Sequence, residues 1–197
     1  MRGTYRGGLV FDLDVVAIIN PDGPGTLPPA PARPDRPSWG VPSATPMASD
    51  LDGDGFDDLT FWGPGIYRPV VGDLDGNGRD DVIWYGPGSA PDYLWYAEGG
   101  RRFTSVRQYV GADYRTTIGD YDRDGRDEVI WHAPGSIADR RWDISANRGL
   151  ASRAFQIYGA YQPVSGDYDG DGRDDLVWST PKTGAVDFVY GGTTYLR

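Results

Sequence analysis

The sequence predicts an all-β protein assembled from short, repeated four-stranded units, and three observations predict it. An acidic, glycine-rich phrase recurs four times and each time runs into an aromatic, β-branched stretch: SDLDGDGFDDLTFWGPG from Ser49, GDLDGNGRDDVIWYGPG from Gly72, GDYDRDGRDEVIWHAPG from Gly119 and GDYDGDGRDDLVWSTPK from Gly166. The 29 glycines and 16 prolines make 45 of 197 residues, so the chain is rich in turns. An aromatic content of 13% supplies a packed core and argues against disorder.

The leading acids of the copies are Asp50, Asp73, Asp120 and Asp167, so copies two to four are spaced by 47 and 47 residues. Within one interval the strands follow in order. DDVIWYGPG is a short strand stopped by Gly-Pro-Gly, DYLWYAEGG a second stopped by Gly-Gly, RRFTSVRQYVG a third, and YRTTIGD a fourth that leads into the next acidic loop. Four strands in 47 residues match the size of a β-propeller blade, and the chain holds roughly three to four such blades, a partial propeller. The first interval, 23 residues, lacks one hairpin. Trp84, Trp131 and Trp178 share one repeat position, as do Trp95 and Trp142. Such tryptophans suit packing between blades, and the same rings suit a ligand platform.

Residues 21–47 hold nine prolines without periodicity and read as a linker. Residues 1–20 read as a decayed repeat or an N-terminal strand, and residues 48–197 as the repeat domain. The net charge of −10 disfavours nucleic acid and anionic membrane as partners. No run is apolar and long enough to insert in a membrane as a helix, and LVFDLDVVAII, broken by Asp12 and Asp14, is a poor signal peptide. Without cysteine, no disulfide is available.

Alternating acids with a glycine at the sixth place suit Ca²⁺, which takes six to eight oxygens in flexible geometry. Positions 1, 3, 5 and 9 offer side-chain oxygens, and position 7 its carbonyl. The expected sets are Asp50, Asp52, Asp54, Phe56 and Asp58; Asp73, Asp75, Asn77, Arg79 and Asp81; Asp120, Asp122, Asp124, Arg126 and Glu128; and Asp167, Asp169, Asp171, Arg173 and Asp175. An EF-hand requires a glutamate at position 12, which is here Phe61, Trp84, Trp131 or Trp178. The loops carry 19 of the 29 acids, and four Ca²⁺ would bring −10 to −2. A solvated acidic turn is the plainer alternative. A catalytic carboxylate pair needs two unlike environments, which four similar loops do not provide. The one histidine, His132, has Trp62, Tyr85 and Ser179 as counterparts, so it reads as a surface or packing residue rather than a base. The position-8 acids Asp57, Asp80, Asp127 and Asp174 are expected in solvent or beside an arginine.

The phrase D-x-D-G-D-G-x-D-D, followed by an aromatic strand and Gly-Pro-Gly or Ala-Pro-Gly, resembles the FG-GAP (VCBS-type) repeat of integrin-alpha-like propellers. The resemblance covers about residues 49–197. It implies Ca²⁺ in the hairpin loops, up to four ions, and a secreted or cell-surface, non-catalytic module for recognition or adhesion. It implies a protein or carbohydrate ligand; a lectin-like variant would use Trp95, Tyr96 and Trp142, and an accessory role beside a secreted hydrolase is the other alternative. Seven repeats of 47 need 329 residues, so a closed ring requires a longer chain or a homodimer, the remaining outcome being an open stack.

Overall fold

The structure, a computed structural model, describes residues 2–4, 10–12, 15–19, 45–62, 66–99, 102–180 and 186–189. They form sixteen strands and, among the described residues, no helix. Among the described residues, no helix is long and apolar enough to cross a membrane.

Two complete blades lie in the middle of the chain. The first comprises β6 (Arg68–Gly72), β7 (Asp81–Tyr85), β8 (Asp92–Ala97) and β9 (Phe103–Gln108), antiparallel and in chain order. The next comprises β10 (Arg115–Gly119), β11 (Glu128–His132), β12 (Asp139–Ile144) and β13 (Leu150–Phe155), again in chain order. A further blade shows β14 (Gln162–Gly166), β15 (Asp175–Ser179) and β16 (Val186–Val189). Each acidic loop joins the first and second strands of its blade. The first strands β6, β10 and β14 lie beside one another.

The blade before them is built differently. β4 (Thr45–Ser49) pairs antiparallel with β5 (Asp58–Trp62). On the other side of β5, β3 (Val15–Ile19) pairs parallel, with a register shift between Val16 and Ile18. It takes the side of β5 that β8 takes beside β7, so an N-terminal strand fills the place of the missing hairpin. β1 (Arg2–Thr4) and β2 (Val10–Asp12) form a separate antiparallel pair. The expected linker is therefore shortened at its end: residues 45–47 belong to β4, while residues 21–44 lie outside the described residues.

The second strand of each blade explains the core. β7 and β11 are buried along their whole length, because both faces of the sheet are covered. Side chains alternate between the faces. Val82, Trp84 and Trp95 pack back on Met47 and Leu51 of the preceding blade. Ile83, Tyr85, Leu94 and Tyr96 pack forward on Val129, Trp131, Trp142 and Ile144. Ile130 and Tyr121 pack forward on Leu176 and Trp178. The repeated tryptophans thus sit between blades: the Trp131 ring lies 5.1 Å from that of Tyr85 and 4.9 Å from that of Trp142, at steep interplanar angles that aromatic pairs favour. The fourth strands β9 and β13 are largely exposed.

Candidate metal centre

Each acidic loop is organised by its first aspartate, whose carboxylate accepts backbone N–H groups of the loop it begins. Asp50 accepts from Gly53, Asp54 and Gly55; Asp73 from Gly76, Asn77 and Gly78; Asp120 from Asp124 and Gly125; Asp167 from Gly170 and Gly172. The sixth-position glycines have φ of 84° (Gly55), 78° (Gly78), 78° (Gly125) and 83° (Gly172), a region open to glycine at little cost. The curl brings carboxylates together. Oxygens of Asp50, Asp52 and Asp54, of Asp73, Asp75 and Asp81, of Asp120, Asp122 and Glu128, and of Asp167, Asp169 and Asp175 lie within 4.8 Å of one another in each group.

The remaining expected side chains have other partners. Asn77 donates through its amide nitrogen to the Ala97 carbonyl at 3.1 Å. Asp124 pairs with Arg126. Asp171 accepts the Arg173 N–H at 2.8 Å. Asp58 is buried at the start of β5, opposite Ser49 in register.

The ninth-position acid is the buried floor of each loop. Asp81 accepts N–H groups from Leu74 at 3.0 Å and Ala97 at 2.8 Å, and burial pushes its pKa up to about 8 against those bonds. Burial likewise pushes Glu128 up to about 8, opposed by the Arg141 guanidinium. In the second loop one oxygen is orphaned: Asp75 Oδ1 is buried with no hydrogen-bond partner, while Oδ2 meets Arg148 Nε at 2.8 Å. A buried, partnerless carboxylate oxygen beside two further carboxylates has the chemistry of a hard-cation site.

The eighth-position acids correct the expectation of solvent or arginine. Asp80, Asp127 and Asp174 each reach back to the preceding loop and grip its first residue twice. Asp127 Oδ2 accepts the Asp73 N–H at 2.9 Å, and the Asp127 N–H donates to the Asp73 carbonyl at 2.8 Å; Asp80 does the same to Asp50, and Asp174 to Asp120. Burial comes first among the causes that raise all three carboxyls, to about 7 at Asp127. Asp57, which has no earlier loop to grip among the described residues, is exposed. A side chain at Gly72 or Gly119 would collide with the Asp127 or Asp174 carboxylate, so glycine precedes those two leading acids; before Asp50 stands Ser49, and the Asp80 grip is made there too. The glycines at 72 and 119 were the available signal.

Three aromatic residues do not form the expected sugar platform. Trp95, Tyr96 and Trp142 are 2%, 1% and 4% exposed, and their rings are engaged by Trp84, Arg148 and Trp131. His132 is in the core rather than on the surface: its Nδ1 lies 2.9 Å from Asp139 Oδ1, and its ring packs on Trp178 at 5.1 Å. Asp139 and its counterpart Asp92, which the loop pattern did not single out, each tie two backbone N–H groups: Ala133 and Ile157, and Gly86 and Val110.

Residues 73–131 match the FG-GAP-like repeat family model, and residues 159–196 match the FG-GAP repeat model. The first match runs from the second loop to Trp131, and the second covers the fourth loop. None of the curated proteins compared matches the chain. With matched repeats, antiparallel four-stranded blades and a shared loop geometry, the chain is an FG-GAP repeat protein, a β-propeller-like repeat module.

Proposed function

We propose that this module binds Ca²⁺ through its acidic loops and serves, without catalysis, in recognition outside the cytoplasm. The observation that carries the metal reading is the second loop. Asp73, Asp75 and Asp81 converge there, and the buried Oδ1 of Asp75 lacks a partner. The same convergence in the first and fourth loops supports an ion in each, with the carbonyls of Phe56, Arg79 and Arg173 and the side chains of Asp58, Asn77 and Asp171 completing the oxygen set. Calcium at extracellular concentration would fill such sites and stabilise the fold by mass action. Removing it with EDTA is expected to lower the melting temperature, and added Ca²⁺ to restore it. An unchanged melting curve together with no heat of Ca²⁺ binding would overturn the reading.

The partner is another protein surface, and one partner is a further repeat of this kind, as in a homodimer that completes the ring. Two positions on the exposed face of the blade formed by β14, β15 and β16 support it. Val164 and Tyr168 are 42% and 52% exposed, whereas their counterparts Val70 and Leu74 are covered by the following blade. Sedimentation at rising concentration tests this, and a strictly monomeric chain would refute the dimer.

A further inference from the structure

The third loop differs from its sisters in a coordinated way. Its fourth position is Arg123 where the others have Gly53, Gly76 and Gly170, and its ninth is Glu128 where the others have aspartate. Beyond the loop, Arg141 and Asp143 on β12 stand where β8 carries Leu94 and Tyr96. A leucine and an aromatic ring have been exchanged for an arginine and an acid at the two strand positions that face the loop.

These exchanges meet at one point. Arg141 is 4% exposed. Its Nη2 lies 2.7 Å from Asp143 Oδ1, 3.3 Å from Glu128 Oε2 and 3.4 Å from Asp122 Oδ2, and its Nε donates to Asp143 Oδ1 at 2.8 Å. Two of the three convergent carboxylates of this loop therefore face a guanidinium, and the fifth-position acid, Asp124, pairs with Arg126. An arginine keeps its charge at any working pH and is fixed to the strand, so it cannot leave as a hydrated ion can. A divalent cation placed among the same oxygens would face that positive charge at close range without intervening water.

The second loop shows the contrast. Arg148 comes from the turn between β12 and β13, touches only Oδ2 of Asp75, and sends its other nitrogen to Glu98 at 2.6 Å. It flanks that cluster and leaves Oδ1 open. Arg141 lies among the acids of its cluster.

We infer that the third loop takes no calcium: the Arg141 guanidinium stands in the ion's place and holds Asp122 and Glu128 together as a built-in cation. The inference rests on the calcium reading of the other loops, and it lowers the count from the four clusters to three bound ions.

Native mass spectrometry and calorimetry of the full chain with Ca²⁺ alone provide the test, on wild type, Asp122→Ala and Asp169→Ala. Asp122 is half-exposed, so its alanine variant is expected to fold. The expected result is three ions on wild type, still three on Asp122→Ala, and one fewer on Asp169→Ala. Four on wild type, or a loss on Asp122→Ala, overturns the inference while calcium binding stands. No binding to any variant overturns the calcium reading and the inference with it. A folded Arg141→Leu, which installs the residue found at position 94, is expected to gain one ion; a folded variant with no gain overturns the claim that the guanidinium excludes the metal.

Discussion

Replacing Asp127 by alanine and by asparagine separates two opposed roles of one side chain. Its carboxylate accepts the Asp73 N–H at 2.9 Å, and alanine leaves that partly buried donor without a partner. Such a loss costs about 1–3 kcal/mol, a fall of several degrees in melting temperature for a chain of this size. The same carboxylate is driven by burial from 3.8 to about 7. A raised carboxyl stabilises the fold fully below its unfolded pKa, and that contribution is lost as pH rises through the folded value. In metal-free protein this amounts to roughly 4 kcal/mol lost between pH 4 and pH 8, from ~1.36 kcal/mol per pKa unit. Asparagine keeps the acceptor and removes the charge. The expectation is that, in EDTA at pH 8, Asp127→Asn exceeds wild type while Asp127→Ala lies about 1–3 kcal/mol below Asp127→Asn, and that both variants lose less stability than wild type on going from pH 5 to pH 8. Urea melts at both pH values measure this. Equal stability of the two variants at pH 8, with unchanged pH slopes, would refute the reasoning.

Other outcomes follow from the same structure. Calcium uptake is expected to release protons, because Asp81 is held near 8 until an ion arrives; calorimetry in two buffers of different ionisation enthalpy reads the proton count, and affinity should weaken as pH falls below 8. Trp131→Ala removes a fully buried ring shared by two blades and should cost about 3–5 kcal/mol in chemical denaturation, with loss of cooperativity between those blades. Deleting residues 1–20 bares the edge of β5 that β3 covers; hydrogen exchange at β5 amides should accelerate, and the exposed edge should promote aggregation.

Much of the architecture was legible because the chain repeats itself. The 47-residue spacing and the Gly-Pro-Gly stops marked β6–β9 and β10–β13, since period and turn chemistry are local properties. The carboxylate groups were legible for the same reason. What escaped was non-local. Nothing near Val15–Ile19 says that this stretch joins β5 in parallel, and only the missing hairpin hinted at a vacancy. The eighth-position acids looked like surplus charge because their partner lies one repeat earlier in the chain. His132 read as either a surface or a packing residue because its counterparts vary, and only Asp139, seven residues on, which gives its buried nitrogen a partner, decides for packing.

The grip of each eighth-position aspartate on the loop before it has a consequence for how such a chain grows. The group that reaches back and the backbone that is reached are the same in successive copies, Asp80 to Asp50, Asp127 to Asp73, Asp174 to Asp120. Every joint is thus interchangeable. A duplicated unit of 47 residues arrives with both halves of the fastening already made and can be spliced between any two others, and the Asp80–Asp50 fastening is made even across the shortened first interval. Lengthening by whole copies is the change this construction tolerates best, and the one shortened copy survives because a strand from elsewhere in the chain was recruited beside it.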